Sequence, residues 1–118
     1  MMAFITNTQN VLVLTKDDSL LSVLESTLIE RGIRFQVSDS YDDVDITFSL
    51  IIAGPDFDSQ EIGQKLKEIG GIPPCILLLR TKAGDSSPIR CCQCKTLFLP
   101  MDIFQLPQAL DQLLTIHH

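Results

Sequence analysis

The sequence lacks the features that carry proteins into or across membranes. No apolar run reaches the roughly 20 residues that a membrane-spanning helix needs. The first residues contain neither a basic segment nor a long apolar segment, so they are not typical of a signal peptide. We therefore expect a cytoplasmic protein without a membrane partner, and we expect its four cysteines to be thiols instead of a disulfide framework.

Basic residues are also scarce. The chain has 9 Lys and Arg against 15 Asp and Glu, which gives a net charge of −6 and a pI of about 4.6. A protein that binds nucleic acid directly needs a basic surface to neutralise phosphates. The charge balance therefore excludes direct nucleic-acid binding as an expected function.

Catalytic and nucleotide-binding motifs are missing as well. The only two histidines are His117 and His118 at the end of the chain, which makes a Ser-His-Asp or Cys-His arrangement hard to build. No G-x-G-x-x-G or G-x-x-x-x-G-K-[ST] motif is present. We expect no enzymatic activity, no cofactor and no metal.

What the chain does contain is a regular alternation of apolar runs and amphipathic stretches. Its 118 residues, 45% of them hydrophobic, fit one domain over 1–118 with a core over about 10–115. Continuous apolar runs are typical of strands buried on both faces of a parallel sheet. We predict such strands at Val11–Leu14, Ile33–Val37, Phe48–Ala53, Cys75–Leu79 and Thr96–Leu99.

Helical spacing and end residues predict the segments between the strands. Asp18-Ser19 can cap a first helix that ends at Gly32, and Ser59–Ile69 reads as another helix, with Ile62, Leu66 and Ile69 on one face. Asp102 opens the last helix, while 40–45 and 82–88 leave room only for shortened second and fourth helices. Right-handed crossovers then give an α/β, flavodoxin-like three-layer sandwich with a five-stranded parallel sheet in the order 2-1-3-4-5.

Three segments resemble the receiver domain of two-component response regulators, over nearly all of the chain. Val11–Leu14 followed by Asp17-Asp18-Ser19 looks like the first strand and helix of a receiver, Leu50–Ala53 looks like its third strand, and 97–103 looks like its fifth strand and the following turn. The last segment is most similar to the N-terminal domain of sigma-54-dependent enhancer-binding activators, such as flagellar master regulators. The resemblance implies a signalling module that regulates transcription.

The same resemblance shows where this chain departs from a working receiver. Thr15 and Lys16 stand where the Mg²⁺-binding acidic pair belongs, Gly54 stands at the phosphoacceptor, and Leu99 replaces the lysine of the fifth strand. Thr81, or Arg80, is at the position of the switch hydroxyl. These residues predict a pseudo-receiver without a phosphorylation site, whose candidate cleft comprises Thr15, Lys16, Asp17, Gly54, Asp56, Thr81 and Leu99.

Two alternatives remain open at this cleft. In a shifted register, Asp17 and Asp56 could bind a cation, and Asp56 could accept phosphate as in an atypical receiver, although capping and turn roles explain both residues equally well. The cleft could also sense a small anion or nucleotide near Lys16, Gly54 and Arg80. Lys16 could pair with Asp17 or Asp56 and hold the loops in one state.

Cys91, Cys92 and Cys94 are the most unusual local feature. Structural zinc sites usually contain two separated pairs of ligands, and this cluster lacks a clean second pair, with Cys75 as a fourth candidate. Zinc binding and a redox role stay open beside simple packing as small apolar side chains.

The remaining prediction concerns surfaces. In receivers, the face formed by the fourth helix, fifth strand and fifth helix carries dimerisation and output. The resemblance implies a candidate face here that comprises Met101, Ile103, Phe104 and Gln108. We therefore expect a phosphorylation-independent module that binds a protein partner or an attached output domain, and a homodimer is open.

Overall fold

The computed structural model describes residues 10–81, 94–99 and 101–115, and for Met101 and Thr115 it describes the backbone only. The strands are β1 (Asn10–Leu14), β2 (Arg34–Ser38), β3 (Leu50–Ala53), β4 (Cys75–Arg80) and β5 (Cys94–Phe98). The α-helices in these ranges are α1 (Asp18–Glu30), α2 (Ser59–Ile69) and α3 (Leu106–Thr115). The described residues also contain two 3-10 helices, Tyr41–Asp43 and Met101–Gln105.

The sheet has five strands in the order β2-β1-β3-β4-β5, and every neighbouring pair is parallel. The predicted α/β, flavodoxin-like fold is thus confirmed. The shortened second helix is the 3-10 helix Tyr41–Asp43, and the predicted fourth helix lies outside the described residues.

Apolar side chains fill both faces of the sheet. On one face, the leucines of α1 and α3 pack against Val11, Val13 and Leu77. On the other, Phe57, Ile62 and Leu66 pack against Leu12, Ile51 and Leu78. A fully buried Leu or Ile side chain contributes roughly 1.5–3 kcal/mol through the area it removes from water. Because the central strands are buried on both faces, the residues that directly follow them are held in fixed positions relative to one another.

Local hydrogen bonds and backbone conformations set the helix ends, although the N-cap of α1 lies one residue before the predicted Asp18-Ser19. Asp17 is the N-cap of α1, with its carboxylate accepting hydrogen bonds from the Ser19 and Leu20 N–H groups. Gly32, at φ 69°, follows Arg31 in the left-handed conformation that favours glycine. Pro107 is the second residue of α3, in the first turn where a missing N–H costs little.

Several predicted details need correction. Ile69 does not join the buried face of α2, since its side chain is 45% exposed in the last turn of the helix. β5 begins at Cys94, two residues before the predicted start, because backbone pairing with β4 extends the strand through Cys94 and Lys95. The last α-helix begins at Leu106 instead of Asp102, because a 3-10 helix occupies Met101–Gln105. The Asp102 carboxylate accepts a hydrogen bond from the Phe98 N–H in β5.

Candidate functional site

Most of the candidate cleft forms at the carboxyl ends of β1 and β3. These strands pair in register up to Leu14 and Ala53, and the Gly54 N–H donates to the Leu14 carbonyl over 2.8 Å. Thr15 and Gly54 therefore lie side by side where the two strands end. In parallel sheets, ligand sites form at this edge, and the reversal of strand order between β1 and β3 opens a crevice there.

Asp56 forms hydrogen bonds with both residues that directly follow β1 at this edge. Its Oδ1 accepts a hydrogen bond from the Thr15 hydroxyl over 3.1 Å, and its Oδ2 accepts one from the Lys16 N–H over 2.7 Å. Thr15 Oγ1 in turn accepts from the Asp17 N–H over 3.1 Å. We call this set of bonds the Asp56 clasp; it ties the loop after β3 to the loop after β1.

The clasp needs a glycine beneath it. A Cβ placed on Gly54 would lie 2.7 Å from Asp56 Oδ1 and 2.8 Å from Thr15 Oγ1, both shorter than van der Waals contact. Gly54, predicted at the phosphoacceptor position, therefore occupies a point where a side chain and the clasp cannot coexist. The Asp56 carboxylate uses the space that a side chain at position 54 would need.

The predicted charge pairing of Lys16 is replaced by a backbone bond. Within the described ranges the ion pairs are Arg31–Asp111 and Lys65–Asp42, and neither includes the exposed Lys16 ammonium. Asp17, the other predicted partner, caps α1 with its carboxylate. Lys16 thus contributes to the contact between the two loops through its backbone N–H and not through its charge.

Asp17 and Asp56, the candidate ligands of a cation, are both engaged in other contacts. Each carboxylate already accepts two hydrogen bonds, Asp17 from α1 and Asp56 from the clasp. Among the residues that the structure describes, no group of three His, Cys, Asp or Glu side chains could hold a metal ion. A hard cation such as Mg²⁺ would also need several converging oxygen ligands.

Arg80 is the buried charge of the site. Its side chain is 4% exposed, and its Nη1 donates to the Gly54 and Leu79 carbonyls, each over 2.8 Å. Since a buried charge needs hydrogen-bonding partners, these bonds fix the guanidinium behind Gly54. Sequence reasoning treated Arg80 as an alternative to Thr81 or as an anion contact, and its role as a support of Gly54 was missed.

Beside Arg80 opens a polar cleft of about 330 Å³. Its lining comprises Tyr41, Pro55, Asp56, Phe57, Asp58, Ser59, Arg80 and Thr81. The Tyr41 hydroxyl accepts a hydrogen bond from the Asp58 N–H over 2.7 Å, and the Tyr41 and Phe57 rings stand 4.9 Å apart. Tyr41 was not predicted here, although it is the only tyrosine of the chain and directly follows the N-cap Ser40.

The other two candidate residues lie apart from the clasp. Thr81 is exposed and lines the polar cleft. Leu99 packs partly buried against the α1-side core, and its N–H donates to the Arg80 carbonyl over 2.6 Å. The structure therefore brings Thr15, Lys16, Gly54 and Asp56 into one contact set, with Asp17 joined through Thr15.

The candidate face divides into an exposed and a packed part. Phe104 is 89% exposed and Gln108 is exposed, so both are available on the surface. Ile103 instead packs against the α1-side core, and the side chain of Met101 lies outside the described part of the chain. Phe104 is thus an exposed apolar contact in the described part of this face.

The cysteines that the structure describes lie on opposite faces of the sheet. Cys75 belongs to the α1-side core, and Cys94 packs against the α2-side core. Burial raises the pKa of the Cys75 thiol, because a charged thiolate is disfavoured away from water. The open zinc and redox hypotheses depend on Cys91 and Cys92, which lie outside the described residues.

Within the described ranges, none of the helices is long and apolar enough to cross a membrane.

Comparison with known proteins yields fold neighbours and no family. No protein-family model matches the chain, and no curated protein matches it. A solved pilus assembly-related protein from Burkholderia pseudomallei is similar with a TM-score of 0.67 and 20% identity, over 98% of this chain and 96% of that one. A de novo designed Rossmann 2x3 protein is similar with a TM-score of 0.64 and 14% identity, over 92% and 90%. These likenesses show a shared Rossmann-like, flavodoxin-like fold.

Proposed function

We propose that the chain is a phosphorylation-independent, receiver-like signalling module that acts by binding protein partners and regulates a transcriptional output. The observation that carries the proposal is the Asp56 clasp over Gly54. A receiver needs a carboxylate at the end of its third strand, and here that position is a glycine on which a Cβ would clash with Asp56 and Thr15 while the clasp is in place.

The chemistry around Gly54 supports the same reading. Thr15 and Lys16 supply no acidic pair for Mg²⁺, and Leu99 cannot neutralise a phosphoryl oxygen with a charge. Asp56 lies two residues beyond the phosphoacceptor position, and both of its oxygens are engaged by the first loop. A module held in one loop conformation would signal through its concentration or its partners instead of through phosphate.

The exposed Phe104 supports protein binding as the mode of action. A large aromatic side chain that is 89% exposed is a frequent anchor of protein interfaces. It follows β5 in the 3-10 helix Met101–Gln105, on the side of the fold that carries output in receivers. The pilus assembly-related neighbour adds bacterial surface-structure assembly to the processes in which a partner should be sought.

Amide NMR of the domain tests the proposal directly. The protein is titrated with Mg²⁺ and then with beryllofluoride, an analogue of the phosphoryl group. We expect no saturable shifts at Lys16, Gly54 and Thr81 when beryllofluoride is added. Saturable shifts centred on Asp56 would overturn the proposal and identify an atypical receiver that is phosphorylated there.

A second candidate function is a sensor of small anions or nucleotides, and the buried Arg80 beside the polar cleft favours it. Asp56 and Asp58 line the same cleft and repel an anion, so the first proposal is better supported. Titration with inorganic phosphate and with a nucleoside triphosphate separates the two. Saturable shifts of the Arg80 and Ser59 amides with either ligand would favour the sensor.

A further inference from the structure

β2 forms one edge of the sheet, and its apolar side chains are incompletely covered. It is the first strand in the order β2-β1-β3-β4-β5, and no described strand pairs with its outer side. Phe35 and Val37 are in register with Val11 and Val13 of β1, so they lie on the face covered by α1. Phe35 is half-buried, whereas Val37 is 38% exposed.

The adjoining helix extends this apolar surface. Leu21, Glu25 and Ile29 are four residues apart along α1 and therefore share one stripe of the helix. That stripe is next to the buried Leu20, Leu24 and Leu28. The right-handed crossover from β1 to β2 turns it toward the β2 edge. Ile29 is 67% exposed there.

The sequence of β2 contains little that would prevent pairing with another strand. Edge strands are commonly protected by lysine, proline, bulges or inward-pointing charges. β2 reads Arg-Phe-Gln-Val-Ser, with a single charge at its first residue. β5, at the opposite edge, carries Lys95 within the strand. The two edges therefore differ, and β2 is the one suited to pairing.

The charged residues at the two ends of β2 favour pairing of this edge with β2 of a second copy of the chain in antiparallel orientation. Arg34 begins β2, whereas Asp39 and Asp43 follow its end. An antiparallel copy brings the basic start of each strand beside the acidic end of the other. A parallel copy would instead place like charges together. The charge pattern is thus complementary to itself only when the strands run in opposite directions.

We propose that the chain forms a two-fold symmetric dimer through antiparallel pairing of β2 with β2 of a second copy. With Gln36 on the two-fold axis, Phe35 of each copy faces Val37 of the other, since directly opposite residues share a face of the sheet. Arg34 then faces Ser38. The two sheets join into one ten-stranded sheet, and Ile29 of each copy borders the contact.

The paired segment is short, so the area that it buries is small and the dimer is expected to be weak. Stable dimers commonly bury about 800 Å² on each partner, and a five-residue strand with one bordering helix stripe provides less. We therefore expect a weak dimer whose population depends on protein concentration. This inference goes beyond the proposed function, because it concerns the opposite edge of the sheet from Phe104.

Sedimentation equilibrium over a range of concentrations tests the proposal with the intact chain of 13.1 kDa. Gln36 is exposed, so charged substitutions there leave the fold intact. Q36K alone and Q36E alone each place two like charges across the axis and raise the dimer Kd about fivefold. An equimolar mixture of Q36K and Q36E places opposite charges there and restores association at least to the wild-type level.

The matched control is Q64K, the same change at an exposed glutamine of α2, the helix that follows β3. It is expected to leave the Kd unchanged. A wild-type chain that stays monomeric at all concentrations would overturn the proposal. So would a dimer that Q36K does not weaken, or a mixture of the two variants that associates no better than either alone.

Discussion

Gly54 and Asp56 show what one missing side chain makes possible. The strand pattern was sufficient to predict that Gly54 follows a buried strand at the functional edge of the sheet. The Asp56 clasp could not be predicted, because it depends on distances between two loops that are 40 residues apart in sequence. The Lys16 contact shows the same limit, since sequence reasoning considered its charge and the structure uses its backbone N–H.

Gly54→Ala is expected to lower the free energy of unfolding by about 1–3 kcal/mol, the usual cost of overpacking. The added Cβ would meet Asp56 Oδ1 at 2.7 Å, so the carboxylate has to leave the clasp. In an Asp56→Ala background, the same substitution should cost less because one of the clashing groups is gone. Urea unfolding of the four proteins measures this coupling, and equal costs in both backgrounds would contradict the clasp.

Cys75 should make the protein less stable at alkaline pH. Its pKa is raised by burial, whereas the thiol of an unfolded chain ionises near pH 8.5. The stability that the protonated thiol contributes is fully present below that pH and is lost as pH rises, because only the unfolded chain releases the proton. Wild-type stability should therefore fall more steeply from pH 8 to 10 than that of Cys75→Ala.

Urea unfolding at several pH values measures this difference. The extra slope of the wild type is at most about 1.4 kcal/mol per pH unit, the value for a single proton. Cys75→Ala is the appropriate control because the other cysteines and all lysines stay in place. Parallel pH profiles for the two proteins would show that the Cys75 thiol ionises equally in the folded and unfolded states.

At the level of elements, the ends that depend on local chemistry were easier to predict than the ends that depend on contacts with other elements. Asp17 and Gly32 work through bonds to their own neighbours in sequence, and such local chemistry can be read from the sequence. The start of β5 depends on pairing with β4, which is not visible in the local sequence. Ile69 illustrates a related limit, because helical spacing cannot show that the last turn of α2 extends beyond the core.

Asp17→Ala should destabilise the protein by about 1 kcal/mol, since the N-cap carboxylate accepts hydrogen bonds from two N–H groups of α1. Asp18→Ala is the matched control. It removes the neighbouring carboxylate, which lies in the first turn and contributes only through the helix dipole. We expect it to cost less than half as much. Urea denaturation followed by circular dichroism measures both, and equal costs would contradict capping by Asp17.

For the whole molecule, the strand order was predictable because it follows from a few general constraints. Apolar runs that are buried on both faces require a parallel sheet between two helical layers, and right-handed crossovers restrict the order of the strands. Biological function is not restricted in the same way, since a shared fold supports many activities. The proposed partner of Phe104 therefore has to be sought by experiment.

The same topology concentrates negative charge at one end of the molecule. Eight carboxylates follow the carboxyl ends of four strands: Asp17, Asp18, Asp39, Asp42, Asp43, Asp56, Asp58 and Asp102. Among the residues that the structure describes, Lys16 and Lys65 are exposed or half-buried lysines near them, and Lys65 is paired with Asp42 over 3.4 Å. Part of the carboxylate repulsion therefore remains in the folded protein and is relieved on unfolding.

Raising NaCl from 20 to 200 mM should accordingly increase the free energy of unfolding, on the order of 1 kcal/mol, because salt screens exposed charges that lie near one another. Asp39 and Asp18 border an acidic groove of about 420 Å³ beside the end of β2. The double variant Asp18→Asn/Asp39→Asn should be less dependent on salt than the wild type. Glu25→Gln/Glu68→Gln removes two charges away from this edge and should keep the wild-type dependence. If both double variants changed the salt dependence equally, the net charge of the protein would govern its stability, and the clustering of carboxylates at this edge would not.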